Sequence, residues 1–206
     1  MDLNVDWRLS RKMTSVKYQK ECGACYSFTA IAAIESAYIL KGKYLNLAEQ
    51  ELVDCSLPYG NFGCEGGWTT NAYQYIKDFG VVYESDYPYK AKFQDCKADP
   101  SKKRYWIKNY VELKDDCNLV GQALKKQPLS IAINAHGLQY YSKGIFTDCQ
   151  SGPSNHGVIL AGADATTWLV KNSWGYSWGE EGYIRISKTA ANNACNVCQW
   201  ASYPVL

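Results

Sequence analysis

The chain of 206 residues holds nine cysteines but only two histidines, and the scarcity of the second narrows what the first can do. A thiol attacks an amide carbonyl well only as the thiolate. Cys25 stands where an apolar run begins. A helix starting there would aim backbone N–H groups and the positive end of its dipole at the sulfur. A protonated imidazole alongside would hold the negative charge, and would later pass its proton to a leaving amine. His156 precedes the apolar stretch 157–162, which would fix it at the start of a strand. His136, in Asn134-Ala135-His136-Gly137, reads as a surface or turn residue. Asn172 offers a neutral amide oxygen that can accept from the imidazole and leave its positive charge intact. An odd number of cysteines leaves at least one thiol unpaired within the chain.

Two kinds of element must carry these groups. From Cys25 to about Lys41 the apolar residues Phe28, Ile31, Ala32, Ile34, Tyr38 and Ile39 recur at helical steps, and Gly42 is a natural stop. Further helices are expected over 49–54, 69–79 with Gly80 ending it, and 118–126. Ala48 stands where a capping side chain would be, so the helix over 49–54 should start weaker by ~1 kcal/mol. The second half reads as short strands: 129–133, 157–162, 167–171 and 182–187, separated by Gly, Asn, Asp or Ser. Helices first and strands later mean an α+β protein with two lobes of different character, and the cleft between such lobes is a usual site for chemistry. There is no internal repeat, low-complexity stretch or flexible linker.

The string Gln19-Lys20-Glu21-Cys22-Gly23-Ala24-Cys25-Tyr26-Ser27-Phe28 matches the signature around the nucleophile of papain and the cathepsins. His156 and Asn172 follow Cys25 by 131 and 147 positions, within that family's spacing. Asn172-Ser173-Trp174-Gly175, Trp178-Gly179-Glu180-Glu181-Gly182-Tyr183, Glu49-Gln50-Glu51-Leu52-Val53-Asp54-Cys55 and Gly63-Cys64-Glu65-Gly66-Gly67 extend the match from Asp6-Trp7 to Tyr203-Pro204. The chain thus resembles a mature papain-like, cathepsin L-like cysteine peptidase. The resemblance implies one peptidase domain over 1–206 with the papain-like two-lobe fold. A helical lobe would span about 11–110 and a β-barrel-like lobe about 111–206, with residues 1–10 packing on the second. It implies a thioester intermediate on Cys25, with His156 and Asn172 beside it. Gln19 would act with the Cys25 N–H in the oxyanion hole, where one donor contributes roughly 3–4 kcal/mol. Trp174 would cover the Asn–His hydrogen bond. Trp178 reads equally well as core packing.

The resemblance also implies cystines Cys22–Cys64, Cys55–Cys96 and one from Cys149 to a C-terminal cysteine. Cys195 and Cys198 are both available for the last. Cys195 is favoured because it lies nine positions before Pro204. Cys117 and Cys198 would then be free or would form a bridge outside the usual pattern. A rival reading takes Cys22-x-x-Cys25 and Cys195-x-x-Cys198 as halves of a zinc site, but their separation far exceeds the ~15–20 residues usual between such pairs. A redox reading of Cys22-x-x-Cys25 lacks the strand-to-helix context. No metal or cofactor is expected.

Carried over by position, Gly66 and Gly67 would let an extended peptide bond to exposed backbone as an added strand. Gly23 would line S1, and the backbone of Asn155 would hold the P1 amide. Trp68, Thr69, Ala132, Ser154 and Trp200 would build S2. Small walls and a bulky floor suggest a wide, shallow apolar pocket preferring hydrophobic P2 residues, provided Trp200 does not turn into the core. Glu65 places a negative charge near the cleft rim. The absence of a two-histidine occluding loop favours an endopeptidase. The alternative is a non-catalytic homologue that keeps the scaffold for binding.

Composition sets the outer limits. A net charge of +2 argues against a dedicated nucleic-acid binder, and Lys102-Lys103-Arg104 reads as a solvated loop. No apolar run reaches the ~18 residues of a membrane span, and the first residues hold no signal-peptide core. The cysteine content points to an oxidising compartment. With the resemblance this implies a monomer, made with a leader and an inhibitory pro-segment, that is secreted or lysosomal/vacuolar and meets protein substrates and cystatin-type inhibitors. No Asn-x-Ser/Thr sequon is present.

Overall fold

A computed structural model describes residues 3–206. Helix α1 (Cys25–Leu40) is buried around most of its circumference, from Tyr26 to Ile39, as expected of a helix that is apolar on all sides. Helices α2 (Glu49–Cys55) and α3 (Thr69–Phe79) pack on it. Ala48 caps α2 with no side-chain bond. Gly80, at φ 71°, ends α3 where a residue with a side chain would be strained.

The strands are β1 (Val5–Asp6), β2 (Asn109–Lys114), β3 (Leu129–Ile133), β4 (Ile145–Phe146), β5 (His156–Ala163), β6 (Thr167–Lys171), β7 (Tyr183–Ser187) and β8 (Trp200–Val205). They form one sheet in the order β2-β8-β3-β5-β6-β7-β4, with β1 added antiparallel to β5. The expected barrel is not closed: β2 pairs only with β8, and the two-residue β4 pairs only with β7, so neither edge meets the other. Helix α4 (Cys117–Leu124) starts one residue earlier than its apolar pattern suggested. The Asp116 carboxylate caps it, accepting from the N–H groups of Asn118 and Leu119. The segment α5 (Ala191–Asn196) is a left-handed turn, with φ between 51 and 60° from Asn192 to Cys195.

Two large cores lie on opposite faces of β5. Val158 and Leu160 join the cluster with Leu129, Ile131, Val170 and Ile184. Ile159 and Ala161 join the cluster of α1, α2 and α3. Burial on both faces explains why β5 reads as an unbroken apolar run rather than an alternating one. Arg104 departs from the solvated-loop reading. It is half-buried and ion-paired with the fully buried Glu51, and it donates to the carbonyls of Phe79 and Gly80 at 2.6 and 3.1 Å. Lys102 and Lys103 are exposed.

All eight remaining cysteines are bridged: Cys22–Cys64, Cys55–Cys96, Cys149–Cys195 and Cys117–Cys198. Cys25 is the free thiol. Cys22, Cys195 and Cys198 are therefore spent on cystines, which removes the zinc reading.

Candidate active site

Cys25 is the first residue of α1, and His156 is the first residue of β5. The helix and strand approach closely because residue 157 is glycine. A Cβ there would lie 3.0 Å from Thr29 Oγ1 and 3.4 Å from the Cys25 carbonyl oxygen. Gly23 is required just upstream. A Cβ on it would sit 2.4 Å from the Cys64 carbonyl oxygen, which its own N–H already reaches at 2.8 Å.

The imidazole Nε2 lies 2.8 Å from Asn172 Oδ1. That oxygen also accepts the Ser173 N–H at 2.8 Å, so it is fixed as the acceptor end of the amide and Nε2 carries the hydrogen. The other ring nitrogen faces Cys25. Burial alone would raise the Cys25 pKa, but the hydrogen bond and charge of His156 outweigh it, with help from the N–H groups of Gly157 and Tyr26, and the thiol is held below its ordinary value. Burial would likewise lower His156, but the bond and charge of Cys25, then the bond to Asn172, hold it above 6.5. Opposite shifts on touching groups favour a thiolate–imidazolium pair. Trp174 stacks on the His156 ring at 4.9 Å between centroids. Trp178 meets Trp174 edge-on at 5.2 Å and donates to the Leu138 carbonyl at 3.0 Å, so it buttresses the covering ring.

Gln19 is buried beside this pair. Its Nε2 donates to the Cys22 carbonyl at 2.9 Å, and its Oε1 accepts from Ser173 Oγ at 2.6 Å. The second Nε2 hydrogen is left for a ligand. Ser173 has no sequence signal beyond its place in the motif after Asn172, and its hydroxyl sets the Gln19 amide. His136 is exposed, in a turn held by its N–H to Asn134 Oδ1 at 3.1 Å.

Asn155 spends its N–H on the Ile133 carbonyl and its side-chain oxygen on the Ala135 N–H, both at 2.9 Å. Gly66 takes φ 107° with open space around it. Trp68, Thr69, Ala132 and Trp200 come together around a pocket of about 270 Å³, with Thr70, Ser130, Ser202 and Glu112. Trp200 is 39% exposed and faces Trp68 at 6.4 Å, so it walls the pocket rather than entering the core. Ser154 is not among these lining groups. Its hydroxyl is turned to the Ala132 carbonyl and Gln199 Oε1, at 3.1 and 3.0 Å.

Behind the dyad lies a buried charge cluster that the sequence did not reveal. Lys17 pairs with Glu35 at 3.0 Å and Glu49 at 2.6 Å. Lys171 donates to the Thr14 carbonyl at 2.8 Å, and Thr14 Oγ1 donates to Glu35 at 2.6 Å. The cluster ties residues before α1, α1 itself and the start of α2 to β6. Burial pushes Lys171 down to about 8 and Glu49 up to about 7.

A free thiol facing an imidazole that an amide oxygen orients is an arrangement suited to thiol-dependent hydrolysis. The chain belongs to the papain family of cysteine proteases, whose family model matches residues 1–205. It is 39% identical to cathepsin L 2 of Paramecium tetraurelia over 98% of its length, and 41% identical to digestive cysteine proteinase 3 of Homarus americanus over its whole length. It spans 64% and 67% of those two relatives. A Carica candamarcensis cysteine protease solved in complex with E-64 superposes with a TM-score of 0.93 at 33% identity, covering 100% of this chain and 99% of that one. Digestive procathepsin L 3 of Tenebrio molitor gives 0.91 at 41%, covering 99% and 70%.

Proposed function

We propose that the protein is a cysteine endopeptidase. The Cys25 thiolate attacks the scissile carbonyl carbon. The resulting oxyanion accepts from the Cys25 N–H and Gln19 Nε2. His156 then gives its sulfur-facing proton to the leaving amine, and the C–N bond breaks to leave a thioester on Cys25. Water, losing a proton to His156, attacks the thioester and releases the acid and the thiolate. The Asn155 carbonyl holds the P1 amide, and the Gly66 backbone pairs with the peptide as an added strand. The pocket between Trp68 and Trp200 receives P2, with hydrophobic side chains preferred.

The observation that carries this reading is the hydrogen-bonded Cys25–His156–Asn172 chain with opposed pKa shifts on its first two members. By analogy with the procathepsin neighbour, an inhibitory pro-segment precedes the active form, and cystatin-type inhibitors fit the same cleft. No helix among the described residues is long and apolar enough to cross a membrane. Secretion or lysosomal residence as a monomer accords with the four cystines and with the digestive and cathepsin relatives. Labelling with a thiol-directed epoxide and peptide mapping should find the label on Cys25 alone, and Cys25→Ser should abolish peptide hydrolysis. Unchanged hydrolysis by that variant would refute the mechanism.

A further inference from the structure

The P2 pocket is not apolar throughout. Strands β2, β8 and β3 lie side by side, and residues opposite one another project from the same face of a sheet. One row across them is Lys114–Trp200–Ala132, and the next is Glu112–Ser202–Ser130. The first row supplies the Trp200 wall, with the Lys114 ammonium 4.5 Å from the centre of its ring. The second row is polar. Ser130 Oγ lies 2.6 Å from the Tyr73 hydroxyl, and Glu112 lines the same cavity with no ion pair among the described residues. Lys114, the nearest cation on the same face of β2, is engaged on the indole. The two tryptophans thus wall one part of the pocket, and a carboxylate with no ion pair among the described residues lies one row beyond them.

We propose that Glu112 is a specificity-determining residue that admits P2 side chains with an apolar stem and a cationic tip, arginine and lysine, as a second tier beneath the hydrophobic ones. This rests on reading the pocket as the P2 site. The stem lies against Trp68 and Trp200, and the guanidinium or ammonium donates to the Glu112 carboxylate, a charge-assisted bond that a neutral tip cannot match. An acidic P2 side chain meets like charge there and is rejected.

The test uses three fluorogenic peptides that differ only at P2: leucine, arginine, and citrulline, the uncharged near-isostere of arginine. The expected kcat/KM order is leucine, arginine, citrulline, with arginine about fivefold above citrulline. In Glu112→Gln the arginine-to-citrulline ratio should fall to about one, and 0.5 M salt should lower it in the parent enzyme. Glu112 is exposed at a sheet edge and glutamine has the same shape, so folding is not at stake. Equal rates for arginine and citrulline in the parent enzyme, or a ratio that Glu112→Gln does not move, would overturn the inference alone. Failure to cleave the leucine peptide would overturn the P2 reading and this inference with it.

Discussion

Replacing Asn172 by alanine tests the chemistry most directly. Its Oδ1 accepts from the His156 imidazole at 2.8 Å, and a hydrogen bond to a charged group contributes about 1.5–3 kcal/mol. If that bond is strongest when the ring is cationic, its loss should lower kcat/KM by about 10- to 100-fold. The pH profile distinguishes this from a general loss of fit. In the proposed mechanism the active form pairs a deprotonated Cys25 with a protonated His156. Activity therefore climbs on the acid side as Cys25 gives up its proton and falls on the alkaline side as His156 gives up its own. Asn172 helps hold the His156 proton. Asn172→Ala should thus move the alkaline limb to lower pH, while the acid limb changes less because Cys25 is held down chiefly by His156 and backbone N–H groups. The assay is initial-rate kinetics on one peptide from pH 4 to 10, with thermal melting to confirm a folded variant. A folded variant with kcat/KM within threefold of the parent and an unmoved alkaline limb would refute the reasoning.

Ser173→Ala removes the donor to Gln19 Oε1 and should lower kcat about tenfold with little change in KM, while Ser173→Thr restores most of it. Lys171 is pushed down to about 8 in the fold against 10.5 in the open chain. Below pH 8 the folded state carries the full penalty of burying that charge. Between 8 and 10.5 the unfolded chain binds more protons, so stability should rise with pH across that window, by an amount of order 1–3 kcal/mol. Lys171→Met should flatten this rise in denaturant titrations. Cys117 and Cys198 lie 81 positions apart, but with Cys149–Cys195 intact the loop they close runs only from 117 to 149 and from 195 to 198, about 36 residues. Replacing both by alanine should cost about 3–4 kcal/mol on the loop-entropy model, measured as a shift in denaturation midpoint.

What could be read from the sequence followed strong local signals. The bounds of α3, β3 and β6 emerge from clear periodicity closed by Gly80 and by turn residues. β2 and β8 did not announce themselves. β2 is half-exposed, so its pattern is weak, and β8 carries Pro204 and an outward Trp200, which dilute a strand signal. The left-handed turn at Asn192–Cys195 suits its two asparagines but runs against the preference of Ala194 and Cys195, the latter buried and bridged to Cys149. The residues proposed to react stand out in the sequence because their types are scarce and their motifs ordered. Ser173 and Glu112 do not, because each is placed by tertiary partners: one beside an amide that lies 154 positions away, the other by the register of two strands with no sequence pattern linking them.

Strand β5 has its alternate side chains rooted in two separate interiors, and His156 is its first residue. Shifting the backbone that carries the imidazole away from the sulfur would mean unseating both at once. Partial loosening of one half has no cheap route to a dead but folded enzyme, so on heating, the curves of lost turnover and of lost native structure should overlie each other.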